Sequence, residues 1–172
     1  MKKILTILLI AIAYNIGHSQ ELSKIDTRIF EVATFDSIPS MLDDILSNCS
    51  RDFILKKYDK VSAKRYQFKF RGATAEETDS VPLIVAIEEK IVGGNPKLDI
   101  PPTTIYEAVE VWGKFQDVAQ IWNLLENKSF DDLVNASHID CHIMGHDNKD
   151  RRYRIRQDQY SKDRMFILKR TW

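Results

Sequence analysis

The chain has 172 residues, of which 44% are apolar and 29% charged, and its 25 Lys and Arg cancel its 25 Asp and Glu. A chain this apolar can bury enough surface to offset its ordering entropy, and 6 Gly and 5 Pro are too few for a collagen-like or low-complexity protein. Zero net charge argues against a strongly basic nucleic-acid binder and leaves an ordinary globular domain.

Residues 1–19 have the layout of a secretory signal peptide. Lys2 and Lys3 form a positive start, Ile4 to Ala13 is almost wholly apolar, and Gly17 and Ser19 place small residues before a cut at Gln20. The apolar run is about half of the roughly 20 residues that a spanning helix needs, and no later segment is long and apolar enough either. The expectation is a single domain over residues 20–172, secreted or periplasmic, with no transmembrane segment. A mature chain of about 150 residues buries roughly 70% of its unfolded surface, enough for one core.

Arg28 to Thr34 reads as a short strand. Ile38, Met41, Leu42, Ile45 and Leu46 recur at helical spacing, with Ser37 or Ser40 as cap and Pro39 in the first turn. Cys49 and Phe53 continue that apolar stripe. Lys64 to Arg71 is the clearest strand: Tyr66, Phe68 and Phe70 alternate with Arg65, Gln67, Lys69 and Arg71. Pro82 to Val92 fits a helix ended by Gly93-Gly94, although its β-branched run also fits a strand. From Thr103 to Asn127, Ile105, Ala108, Val109, Trp112, Phe115, Ala119, Trp122 and Leu125 fall on one helical face, and both tryptophans read as core. Tyr106 to Trp112 alone could pass for a strand, and Lys114 to Glu126 is the firmest part of that helix. His138 to Met144, Arg152 to Gln157 and Met165 to Thr171 then alternate as three strands. The pattern predicts an α+β fold: an antiparallel sheet with amphipathic helices packed on one face and a C-terminal three-stranded meander.

Two groups of residues carry the chemistry. Beyond the signal peptide the histidines are confined to His138, His142 and His146, with Asp140 and Cys141 among them. On a strand His138, Asp140 and His142 project from one face, at a spacing that lets neighbours two apart chelate zinc or another divalent metal. The plainer reading is a solvated polar face, and no named zinc motif is present. Cys141 points the opposite way from those histidines and makes a better disulfide partner for Cys49 in an oxidising compartment. Closing so long a loop would stabilise by about 4.6 kcal/mol.

The second group is basic. Residues 51–72 carry eight Lys and Arg against Asp52 and Asp59, and residues 151–172 carry eight against Asp158 and Asp163. Residues 73–133 hold twelve acids and four lysines, so overall neutrality hides segregated charge. If the two basic strands share a sheet, Arg65, Lys69, Arg71, Arg152, Arg154 and Arg156 make a face that attracts an acidic protein or glycan. Self-compensation by the acidic elements is the competing reading. The aromatics of these strands alternate away from the basic side, which makes nucleic acid a poor ligand.

No GxGxxG, P-loop or GxSxG pattern occurs. The sequence therefore favours a non-catalytic exported binding domain with no cofactor, using its basic sheet face. The alternatives are a small metal-dependent hydrolase built on His138–His146 and a structural envelope-associated protein.

Overall fold

A computed structural model of the chain describes residues 25–26, 29–74, 81–122, 139–144, 150–158 and 165–171. Among them, nine strands in one mostly antiparallel sheet and two short helices make a mixed α+β fold. In chain order these are β1 (Ile25–Asp26), β2 (Glu31–Val32), α1 (Ile38–Ser47), β3 (Phe53–Ser62), β4 (Arg65–Gly72), β5 (Leu83–Val92), β6 (Thr103–Gly113), α2 (Phe115–Ile121), β7 (Ile139–Met144), β8 (Asp150–Gln157) and β9 (Phe166–Thr171). Across the sheet the order is β1-β7-β8-β9-β6-β5-β4-β3, with β2 also paired to β6. Among the described residues only the short β1–β7 contact is parallel.

Helix α1 forms where the spacing predicts it. Ile38, Met41, Leu42 and Ile45 are buried along one stripe, and Pro39 occupies the first turn, where its missing N–H costs nothing. Ser37 stands at the N-cap position but makes no side-chain cap bond; its hydroxyl meets that of Thr34 at 2.7 Å. The stripe does not run on to Phe53, which opens β3 instead.

Strand β4 keeps its predicted alternation, with Tyr66, Phe68 and Phe70 buried in the core. Its neighbour β5 is a strand and not the expected helix. Leu83, Val85 and Ile87 are buried on the face they share with Phe70, Phe68 and Tyr66, and Ala86 is buried on the opposite face, so β5 is covered on both. An interior strand covered on both sides loses its alternation and reads as a continuous apolar run. Gly93 and Gly94, at φ +66° and +85°, end that strand, and a Cβ on Gly94 would press on Pro102 at 3.1 Å.

Strand β6 overturns the first half of the expected long helix, and its register explains the false signal. Ala86 faces Glu110 and Ile87 faces Ala108, so Val109 is an extra residue at a bulge. The bulge shifts the alternation by one and spaces Ile105, Ala108, Val109 and Trp112 like a helical face. At Gly113 the strand ends against Leu83, whose Cδ1 would lie 2.8 Å from an added Cβ. The chain then turns into α2, the surviving core of the predicted helix, whose Val118, Ala119 and Ile121 are buried. Trp122 follows, stacked on Phe30 at 4.7 Å and 7° and tilted against Tyr153 at 5.3 Å. Trp122 is core, as expected, whereas Trp112 is half-buried and donates Nε1–H to Glu110.

The three C-terminal strands lie close to their predicted limits, with β7 paired to β8 and β8 to β9. No helix among the described residues is long and apolar enough to cross a membrane. The expected signal peptide lies outside the described residues.

Candidate functional site

The sheet registers place the predicted basic residues directly. On one face, a row across the sheet reads Gln67, Ala86, Glu110, Lys169 and Arg154. The next row reads Lys69, Ile84, Trp112, Ile167 and Arg156. Thus Arg65, Lys69 and Arg71 do share a sheet and a face with Arg152, Arg154 and Arg156. They do not meet, because β5, β6 and β9 lie between them, a span of about 19 Å at ordinary strand spacing.

Apart from Lys169, what lies between the two flanks in these rows is acidic or apolar. Arg65 donates to Glu88 at 2.9 Å and to Glu110 at 2.6 Å, and Lys169 meets the other oxygen of Glu110 at 2.8 Å. Burial alone would raise the Glu110 carboxyl, but the Lys169 hydrogen bond and the Arg65 charge outweigh it and hold the group below its ordinary value. A related cluster lies further along β6. Glu107, wholly buried, accepts from Lys90, from Arg170 and from the Tyr153 hydroxyl at 3.1 Å. Burial pulls Arg170 below its ordinary value, with Glu88 and Glu31 opposing that shift.

The two flanks therefore differ. The β4 flank is anchored by Arg65 in its ion pairs. On β8, Arg152, Arg154 and Arg156 are all exposed, while Tyr153 and Ile155 between them are buried in the core. That alternation exposes three arginines on one strand, beside the exposed Lys169, although Arg154 also interacts within the fold.

His138 and His146 lie outside the described residues. In the register of β7, Asp140 is opposite Arg154 and His142 opposite Arg152, while Cys141 is opposite Tyr153. The expected Cys49–Cys141 bridge is a correction: Cys49 carries a free thiol. The end of α1 directs its Sγ to the Asp117 carbonyl in α2, at 3.9 Å. Burial, and then the Asp117 charge, push that thiol up to about 12 against a weaker opposing pull from Arg51. So protonated a thiol is inert as a nucleophile.

Sequence reasoning missed two features. Arg51 grips buried Asp117 bidentately, Nε to Oδ1 at 3.0 Å and Nη2 to Oδ2 at 2.6 Å, and its guanidinium lies 4.5 Å from the Phe53 ring centre. No local signal links residues 66 positions apart. The other is an aromatic cleft of about 240 Å³ walled by Phe35, Asp36, Ile38, Pro39, Tyr58 and Phe68. Its only trace in the sequence is aromatic content, since the 3-10 turn Phe35–Ser37 and β3 meet through the fold.

No protein-family model matches the chain, and neither a curated protein nor a solved structure matches it.

Proposed function

We propose that this chain is a non-catalytic binding domain, exported from the cytoplasm after loss of residues 1–19, that holds an anionic partner on the β8 flank of its sheet. In this reading residues 20–172 form one domain, the helices cover one sheet face, and β7, β8 and β9 form a meander that presents the arginines. The observation that supports it is the run Arg152, Arg154 and Arg156, exposed at alternate positions over a buried Tyr153–Ile155 pair. Guanidinium forks at strand spacing suit repeated carboxylates or sulfates on an acidic protein or glycan. Arg65 drops out of the ligand set, because its donors already serve Glu88 and Glu110.

The histidine-based hydrolase is the weaker reading. A cation seated at Asp140 or His142 would sit at register positions facing Arg154 and Arg152, where like charge opposes it.

Calorimetric titration with a heparin oligosaccharide tests the proposal. Three exposed ion pairs at roughly 0.5 kcal/mol each predict that replacing Arg152, Arg154 and Arg156 by Ser weakens binding roughly tenfold. Added salt should weaken the wild-type complex in the same direction. Unchanged affinity in the triple variant would overturn the proposal.

A further inference from the structure

The outer edge of β3 is a second open surface, remote in the sheet order from β8 and independent of the reading above. Among the described residues β3 pairs with β4 alone. It is ten residues long, and Ile54, Leu55, Tyr58 and Val61 are 46%, 48%, 45% and 51% exposed. An edge of that length offers a row of backbone donors and acceptors to an incoming strand. The aromatic cleft lies beside it and Tyr58 forms one wall. That wall is held in place, with the Tyr58 ring 4.9 Å from Phe68, and Phe35 is braced at 5.3 Å against Tyr66.

Charge selects the occupant. Lys56, Lys60 and Lys64 are exposed along or next to this edge, while Lys57 is paired with Asp59 at 2.6 Å. A second copy of β3 would set these lysines against one another, and like charges opposed across strands destabilise. An acidic strand reverses the sign of the same interactions.

We propose that the β3 edge takes up an extended acidic segment of a partner protein as an added strand, with one apolar side chain of that segment seated in the cleft. Residues paired across strands share a face, so the side chain opposite Tyr58 is delivered to the cleft mouth. Main-chain hydrogen bonds supply affinity, and the lysines and cleft supply selectivity.

The test is fluorescence anisotropy of the full chain with a labelled peptide of alternating Glu and Val around a central Phe, and with a counterpart carrying Lys for Glu. The acidic peptide should bind and the basic one should not. Tyr58→Ala and, separately, the double variant Lys56→Glu/Lys60→Glu should each weaken binding about tenfold or more. The double variant changes exposed side chains only, so it stays informative if Tyr58→Ala unfolds. The Arg152, Arg154 and Arg156 triple variant should bind the peptide like wild type. Failure of the acidic peptide to bind at millimolar concentration, equal binding of the basic one, or loss confined to the arginine triple variant would overturn the proposal. So would a native mass showing a dimer that Leu55→Lys dissociates, since the occupant would then be a second copy.

Discussion

Arg65 on β4 and Arg156 on β8 come from strands that read alike in the sequence, with basic residues alternating against aromatic or aliphatic ones. In the fold they share a face of one sheet and have opposite surroundings. Arg65 is half-buried and spans Glu88 and Glu110, whereas Arg156 is exposed at the far flank. Alternation decides which face a residue takes. Neighbouring strands decide whether its charge is spent inside the fold or left for a partner, and those neighbours are set by topology. The basic residues thus divide into structural ones, anchored to the acids of β5, β6 and α2, and exposed ones such as Arg152 and Arg156.

The sharpest break of that comparison is at the most buried pair. Arg51→Ala leaves Asp117 buried beside Cys49 without its guanidinium, and should cost about 3–5 kcal/mol in chemical denaturation. A loss no greater than that of an exposed arginine would erase the distinction. Arg65→Ser comes next. It removes two charge-assisted bonds at a half-exposed position, where solvent screening leaves about 1–2 kcal/mol.

Acid offers a subtler handle on the same network. The Glu110 carboxyl is held below its ordinary value near 4.5, so the folded state binds its proton less readily than the unfolded state. Its contribution is complete above that ordinary value and is lost as pH falls through the lower folded one. Stability measured from pH 6 downward should therefore fall less steeply in Glu110→Gln than in wild type. The smallest stability effects belong to β8. Arg152→Ser and Arg156→Ser should each stay within about 0.5 kcal/mol of wild type in thermal unfolding.

Much of the fold was legible wherever one face of an element is wet. Helix α1 and strands β4 and β8 carry patterns that one-sided burial preserves. Legibility failed at β5, whose burial on both faces removes alternation, and at β6, where the Val109 bulge imitates a helical period. It failed again at β3, whose exposed apolar residues obey neither pattern. For the candidate site, the sequence identified the basic residues and their shared face. It could not show the three strands that separate them, or that Arg65 reaches Glu110 across 45 positions. Cys49 packs against the core as its place on the α1 stripe suggests, but its contact with Asp117 depends on how α1 meets α2.

The division between structural and exposed arginines is tested most directly by one side-by-side measurement. Heparin-oligosaccharide affinity and unfolding midpoint are determined together for wild type, Arg65→Ser and the Arg152→Ser/Arg154→Ser/Arg156→Ser variant. The account predicts that the triple variant loses roughly tenfold in affinity with a smaller drop in midpoint than Arg65→Ser, and that Arg65→Ser loses stability while the folded fraction binds normally. A triple variant that binds like wild type, or an Arg65→Ser protein that is equally stable but binds poorly, would contradict it.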